Sequence, residues 1–203
     1  MASVAFYHKK HQNKNVNSLL PRVFNGSIMA HVRNFNGDLV SPISNELVLD
    51  MVSHSPAQTQ RLGARIGELA CAGDLFCLEG ELGSGKTCFV QGLGRGLGIP
   101  GAIHSPTFIL ANEHRGGRLP LFHLDVYRMH GSGEAVGIGL DDYLSGDGVC
   151  VIEWAEKIRE VLPVDRMWIA FRHLDDAKRG LRIEATGARY QTLLNEFRAN
   201  AFG

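Results

Sequence analysis

Three absences narrow this sequence before any motif is read. It has no charge surplus: Lys and Arg together number 21, and so do Asp and Glu. A chain that grips nucleic acid by itself carries a basic excess, so if RNA is involved another protein is expected to hold it. It has no apolar run near the ~20 residues that a membrane-spanning helix needs, and is expected to be soluble. Its cysteines, Cys71, Cys77, Cys88 and Cys150, show no Cys-x-x-Cys spacing and fall in apolar or helical stretches. They read as ordinary thiols of a reducing compartment, which argues against a zinc site or a disulfide framework.

A fourth absence is local. From Met1 to Gly37 there is no Asp or Glu, whereas Lys9, Lys10, Lys14, Arg22 and Arg33 are present. Hydrophobic periodicity is missing there, which suits a disordered basic leader over residues 1–44. The same composition resembles an organelle transit peptide carried by residues 1–40, although serine and regular amphipathicity are scarce. A cytoplasmic protein with an unstructured extension, upstream of a start at Met29, is the reading preferred here.

What is present is concentrated at Gly80-Glu81-Leu82-Gly83-Ser84-Gly85-Lys86-Thr87, which fits the phosphate-binding loop Gly-x-x-x-x-Gly-Lys-Ser/Thr. An apolar strand, Asp74–Leu78, runs into Gly80, and a helical pattern opens at Gly85. The context matters more than the string, because the glycines free backbone N–H groups to curl around a polyphosphate. The helix that follows turns its positive end to the same anion. The expected contacts are the backbone of Gly83, Ser84, Gly85 and Cys88, the Lys86 ammonium on the β and γ phosphates, and the Thr87 hydroxyl on Mg²⁺. No Asn-Lys-x-Asp tetrad for guanine occurs, so the nucleotide is read as ATP.

A metal at such a loop needs a carboxylate at the end of a buried strand. Leu121-Phe122-His123-Leu124 ends in Asp125, and Val149-Cys150-Val151-Ile152 ends in Glu153. Open α/β sheets bind ligands beyond the carboxyl ends of their parallel strands, so both acids are candidates. One would hold the metal, the other a water. His123, Asp125 and Tyr127 are expected to alternate on one strand face, with His123 able to hydrogen-bond the acid two residues on. Ser105-Pro106-Thr107 opens the preceding strand, where a hydroxyl can sense the γ-phosphate. Arg128 reads as a phosphate contact or a surface ion pair, and Trp154 as corner packing or a partner contact.

The remaining elements are a strand at Glu46 to Val52, a helix from Ala57 to Ala70, and a glycine-rich helix ending near Pro100. They continue with a hairpin of Thr107–Glu113 with Leu119–Arg128, a short helix at Asp141–Leu144, and a helix from Ala155 to Val161. A second hairpin, Met167–Arg172 with Leu181–Ala185, and a closing helix at Ala188–Ala199 complete the chain. Gly92, Gly94, Gly96 and Gly98 weaken their helix by up to ~1 kcal/mol each, and close packing on the sheet is the expected compensation. The fold class is α/β: a three-layer P-loop nucleotide-binding domain over residues 45–203, with a mixed sheet and added β-hairpins.

Four segments together resemble the TsaE (YjeE) family: Glu79–Thr87, Ser105-Pro106-Thr107, His123-Leu124-Asp125-Val126-Tyr127-Arg128 and Ile152-Glu153-Trp154. The resemblance implies a weak, partner-stimulated Mg-dependent ATPase that serves threonylcarbamoyl modification of tRNA adenosine. It implies TsaD- and TsaB-type partners, contact with tRNA only through them, and no membrane association. By position it assigns Thr87 and Glu153 to Mg²⁺, Asp125 and Lys86 to the catalytic set, and Thr59 to the nucleotide. The leader before Asn45 departs from the family pattern and leaves the compartment open. Two other readings stand beside it: a small-molecule kinase using the same loop, and a nucleotide-dependent binding module with negligible hydrolysis.

Overall fold

The computed structural model describes residues 32–33, 39–40, 46–106, 110–137 and 139–202. The chain divides into two units, Met1–Ser44 and Asn45–Gly203. In the first, β1 (Val32–Arg33) pairs antiparallel with β2 (Leu39–Val40). The expected disordered leader and its transit-peptide alternative otherwise lie outside the described residues.

The second unit is built on a seven-stranded mixed sheet in the order β3-β9-β8-β4-β7-β6-β5. Its strands are β3 (Glu46–Ser53), β4 (Leu75–Glu79), β5 (Ala111–His114), β6 (Leu121–Asp125), β7 (Val149–Glu153), β8 (Arg166–His173) and β9 (Arg179–Thr186). The four central strands β8, β4, β7 and β6 run parallel. Antiparallel partners close both edges: β9 and β3 beside β8, and β5 beside β6. The central strands are continuous apolar runs, as strands buried on both faces must be. Two helical layers do the burying. Phe76, Leu78, Val151, Ile169 and Phe171 pack under α1 (Pro56–Leu69), α2 (Lys86–Gly96) and α5 (Ala188–Phe202). On the opposite face Cys77, Leu124, Ile152 and Trp168 pack against Leu140 of α4 (Leu140–Leu144) and Ala155 and Ile158 of a 3-10 helix (Ala155–Val161). The three-layer α/β class expected from the sequence is the one observed.

The entry to α1 is fixed locally. Ser55 caps it by accepting from the Gln58 N–H, and Pro56 supplies the pre-set φ of a first helical position. The glycines of α2 depart from expectation. Gly92 and Gly96 face α1 rather than the sheet. A Cβ on either would stand 2.0 Å from a carbonyl oxygen, of Gln60 and Ala64 respectively. Gly63 and Gly67 of α1 answer them across the contact, where a Cβ would meet the Phe89 and Leu93 carbonyls at 2.2 and 2.3 Å. Bare backbone on both helices allows an approach that side chains would forbid, and it is this contact that offsets the low helix propensity.

Two strands are shorter than their patterns. Leu110 takes a left-handed conformation (φ 68), so β5 starts at Ala111. Thr107–Ile109 lie outside the described residues. Strand β6 stops at Asp125: the Met129 N–H bonds the Val126 carbonyl at 3.0 Å and closes a turn there. Tyr127 therefore is not on the strand with His123 and Asp125. Ala155–Val161 is a 3-10 segment kinked at Ile158, not an α-helix.

Candidate active site

Register brings the two strand-end acids together. Strands β6 and β7 pair in parallel with Asp125 opposite Glu153, both at the carboxyl edge, and both are buried. On a pleated strand alternate residues share a face. His123, Asp125 and Glu153 accordingly point toward the α2 side. The loop from Gly80 to Gly85 leaves the adjacent strand β4 and enters α2 at Lys86.

The loop depends on its glycines at two points. Gly80 (φ 143) lies so close to β8 that a Cβ would sit 2.7 Å from the Phe171 carbonyl oxygen, and Gly85 (φ 106) makes the left-handed entry to the helix. Lys86 folds back over the loop. Its Nζ donates to the Gly80 and Glu81 carbonyls at 2.5 and 3.0 Å and lies 3.8 Å above the Trp154 ring. Burial pulls its pKa below the ordinary lysine value, against the opposing pull of Glu153, Glu156 and Asp125. Trp154 can reach this position because it adopts φ 64 directly after β7. The Tyr127 ring lies 4.8 Å from it, tilted by 47°.

Thr87 Oγ1 donates to both oxygens of the Glu153 carboxylate, at 2.9 and 3.0 Å. His123 Nε2 meets the same carboxylate at 2.9 Å, fully buried. His123 thus engages Glu153, the acid of the neighbouring strand, and not Asp125 two residues on. Its Nδ1 is buried with no hydrogen-bond partner among the described residues. A charged imidazolium would leave an N–H unpaired there, so the neutral ring with its proton on Nε2 fits best. Asp125 accepts instead from the Ser105 hydroxyl and from the Tyr127 N–H at 3.0 Å.

Thr59 is buried in α1, bonded to Ser53 Oγ at 2.8 Å, with its methyl 3.9 Å from where a Gly85 Cβ would stand. Gly83, Ser84 and Gly85 lie in the loop itself, and the Ser84 hydroxyl is buried without a partner among the described residues. Cys88, one turn into α2, donates its thiol to the Pro56 carbonyl at 3.2 Å. Every residue assigned to the site from the sequence therefore lies at or beside one loop.

The sequence reading did not foresee the lysine resting on Trp154, or the His123–Glu153 pair. For the second a signal existed. Two parallel apolar runs each ending in an acid place the residue two before one acid next to the other. Arg128 lies beyond the strand end and is exposed.

A family model for "Threonylcarbamoyl adenosine biosynthesis protein TsaE" matches residues 53–181. The chain belongs to the TsaE family. It is similar to the tRNA threonylcarbamoyladenosine biosynthesis protein TsaE of Bacillus subtilis, 42% identical over 142 residues that cover 70% of this chain and 89% of the relative. The Treponema pallidum TsaE is 43% identical over 132 residues, 65% of this chain and 97% of its own. Among solved structures, Bacillus subtilis YdiB superposes with a TM-score of 0.68 at 36% identity, covering 77% of this chain and 97% of that one. The TsaE match takes in the loop, both strand-end acids and Trp154. Among the described residues, no helix of this TsaE-family chain is long and apolar enough to cross a membrane.

Proposed function

We propose that this chain binds ATP with Mg²⁺ and hydrolyses it weakly, in support of threonylcarbamoyl modification of tRNA adenosine, with TsaD- and TsaB-type proteins as partners. The observation that carries the reading is the convergence of Lys86, Thr87 and Glu153 at a glycine loop, on the carboxyl edge of a parallel sheet. The family supplies the pathway; its relatives are named for tRNA threonylcarbamoyladenosine biosynthesis.

The donor set suits the ion. Thr87 and Glu153 offer hard oxygen ligands already in contact, and Mg²⁺ is usually held by one or two such groups together with substrate phosphates and water. The Ser84 hydroxyl at the loop adds a donor that has no acceptor among the described residues. Thr87 and Glu153 would hold the ion, which would supply neutralisation of phosphate charge there.

The protein's own residues divide the remaining work. Lys86 keeps the loop in shape through two carbonyls and has a third N–H to give to an anion. Burial costs this ammonium some of its charge preference, and an incoming phosphate would restore it. His123 holds the Glu153 carboxylate in place from behind. Asp125, bonded to Ser105, stands beside Glu153 on the next strand and is the candidate to orient an attacking water. Purified protein should hydrolyse Mg-ATP slowly and accelerate when TsaD- and TsaB-type partners are added. Fast turnover with a small-molecule acceptor would favour a kinase instead.

A further inference from the structure

A cavity of about 280 Å³ lies on the outer side of α2, lined by Gln60 of α1, Gln91 and Arg95 of α2, and the turn through Ile99, Ala102 and Ile103. No residue of the phosphate loop lines it. Pockets that enclose whole small molecules run from roughly 300 to 1,000 Å³, so this one suits a side chain better than a complete ligand.

Its polar side chains are joined in a line. Arg95 Nη2 donates to Gln60 Oε1 at 3.3 Å, Gln60 Nε2 to Gln91 Oε1 at 2.9 Å, and Gln91 Nε2 to the Ile103 carbonyl at 3.1 Å. Each amide oxygen in the line already accepts a bond. Each amide nitrogen keeps a second N–H, and the guanidinium keeps most of its own. In the wall beside them, the Gly101 and Ala102 N–H groups have no acceptor among the described residues. Arg95 is exposed, and no carboxylate of the described residues bonds it. Spare donors and an uncompensated cation are what this cavity presents.

The matching ligand is a negatively charged acceptor. Two observations select a carboxylate on an aliphatic stem over a strand of phosphates. The first is the apolar wall of Ile99 and Ile103, both buried, which suits methylene groups. The second is charge. A nucleic-acid strand calls for a row of cations on successive phosphates, whereas Arg95 is the one cation in the lining among the described residues.

The cavity is tied to the catalytic edge. Ile103, whose carbonyl Gln91 holds, packs so closely on α2 that a Cβ on Gly94 would stand 2.0 Å from its Cδ1. Two residues on, the Ser105 hydroxyl donates to Asp125. A ligand that draws on Arg95 and Gln91 therefore acts on the segment that holds Asp125.

We propose that this cavity is a docking site for a partner protein, which inserts an acidic side chain onto Arg95 and the two glutamines. The assignment stands apart from the nucleotide reading, because it concerns different residues and a different ligand.

The probe is an end-blocked peptide of alternating alanine and glutamate, titrated into the isotope-labelled full chain and followed by NMR. The same peptide with glutamine for glutamate, and a short single-stranded RNA, are run beside it. The glutamate peptide should shift the Arg95 Nε, the Gln60 and Gln91 side-chain amides and the Ala102 N–H saturably; the glutamine peptide should not. Arg95→Gln should weaken the glutamate peptide about fivefold or more, since a charge-assisted bond is lost. Arg61→Gln, which removes the same charge from the exposed face of α1, should stay within about twofold of the parent, because Arg61 makes no such bond. Thermal melts of both variants report whether the fold is kept. No saturable shift at these groups, equal shifts from the two peptides, or equal loss in the two arginine variants overturns the assignment. RNA that shifts the same signals at lower concentration than the glutamate peptide overturns it too, in favour of a nucleic-acid partner.

Discussion

Thr87 Oγ1 lies 2.9 and 3.0 Å from the two carboxylate oxygens of Glu153, a contact that joins the first turn of α2 to the end of β7 across 66 positions of sequence. On the proposed reading, Thr87 and Glu153 are the residues that would hold Mg²⁺. Glu153→Gln keeps the hydrogen bond from Thr87 but removes the charge. It should lower Mg-dependent ATP turnover by about 100-fold or more, beyond the range of groups that only position a ligand, with a much smaller effect on nucleotide affinity. Steady-state kinetics beside equilibrium binding would check this; parent turnover in the variant would leave the metal to Asp125.

On the proposed reading, His123 acts on the reaction through Glu153. Replacing it by Phe removes the buried hydrogen bond and leaves the carboxylate held by Thr87. Turnover should fall about 10–100-fold, and the Mg²⁺ concentration for half-maximal activity should rise. His123→Gln, which can still donate to Glu153, should recover part of both. A loss of turnover with an unchanged Mg²⁺ requirement would assign His123 another task.

The pH dependence of binding follows from Lys86. Its pKa in the free protein is depressed by burial from the ordinary lysine value of 10.5. The ammonium attracts phosphate only while protonated, so affinity is full below the lowered pKa and is lost as pH rises through it. A plot of log Kd for the nucleotide against pH should bend upward on the alkaline side before the usual lysine range. A plot that stays level to that range would mean Lys86 does not contribute charge.

Trp154 offers an optical reading of the same lysine, which lies 3.8 Å from its ring. A ligand that draws Lys86 toward an anion should change tryptophan emission. That change should vanish in Trp154→Phe and persist in Trp168→Phe.

The contact between α1 and α2 predicts a stability effect opposite to helix propensity. Gly92→Ala would favour an isolated helix, yet its Cβ would fall 2.0 Å from the Gln60 carbonyl oxygen. Forcing the helices apart should cost about 1–3 kcal/mol, or very roughly 2–12 °C in Tm for a domain of this size. An unchanged or raised melting temperature would show that the helices tolerate separation.

Much of this was legible before the structure. The parallel centre of the sheet announced itself in the apolar runs at β4, β6 and β7, and the acids closing β6 and β7 marked the edge where a ligand sits. The hairpins were legible too, within a few residues. Tertiary arrangement accounts for what was not. Nothing local to Gly92 and Gly96 says that their neighbour is another helix. Tyr127 looked like strand because Val126 is apolar, but a backbone bond from the Met129 N–H to the Val126 carbonyl turns the chain there. The partner of His123 depends on strand order.

Isothermal titration of the full chain with Mg-ATP tests the central claim most directly. The account predicts a saturable heat of association in the parent protein, lost in Lys86→Ala while the thermal melt is unchanged. No heat from a well-folded parent, or the same isotherm from Lys86→Ala, would contradict it.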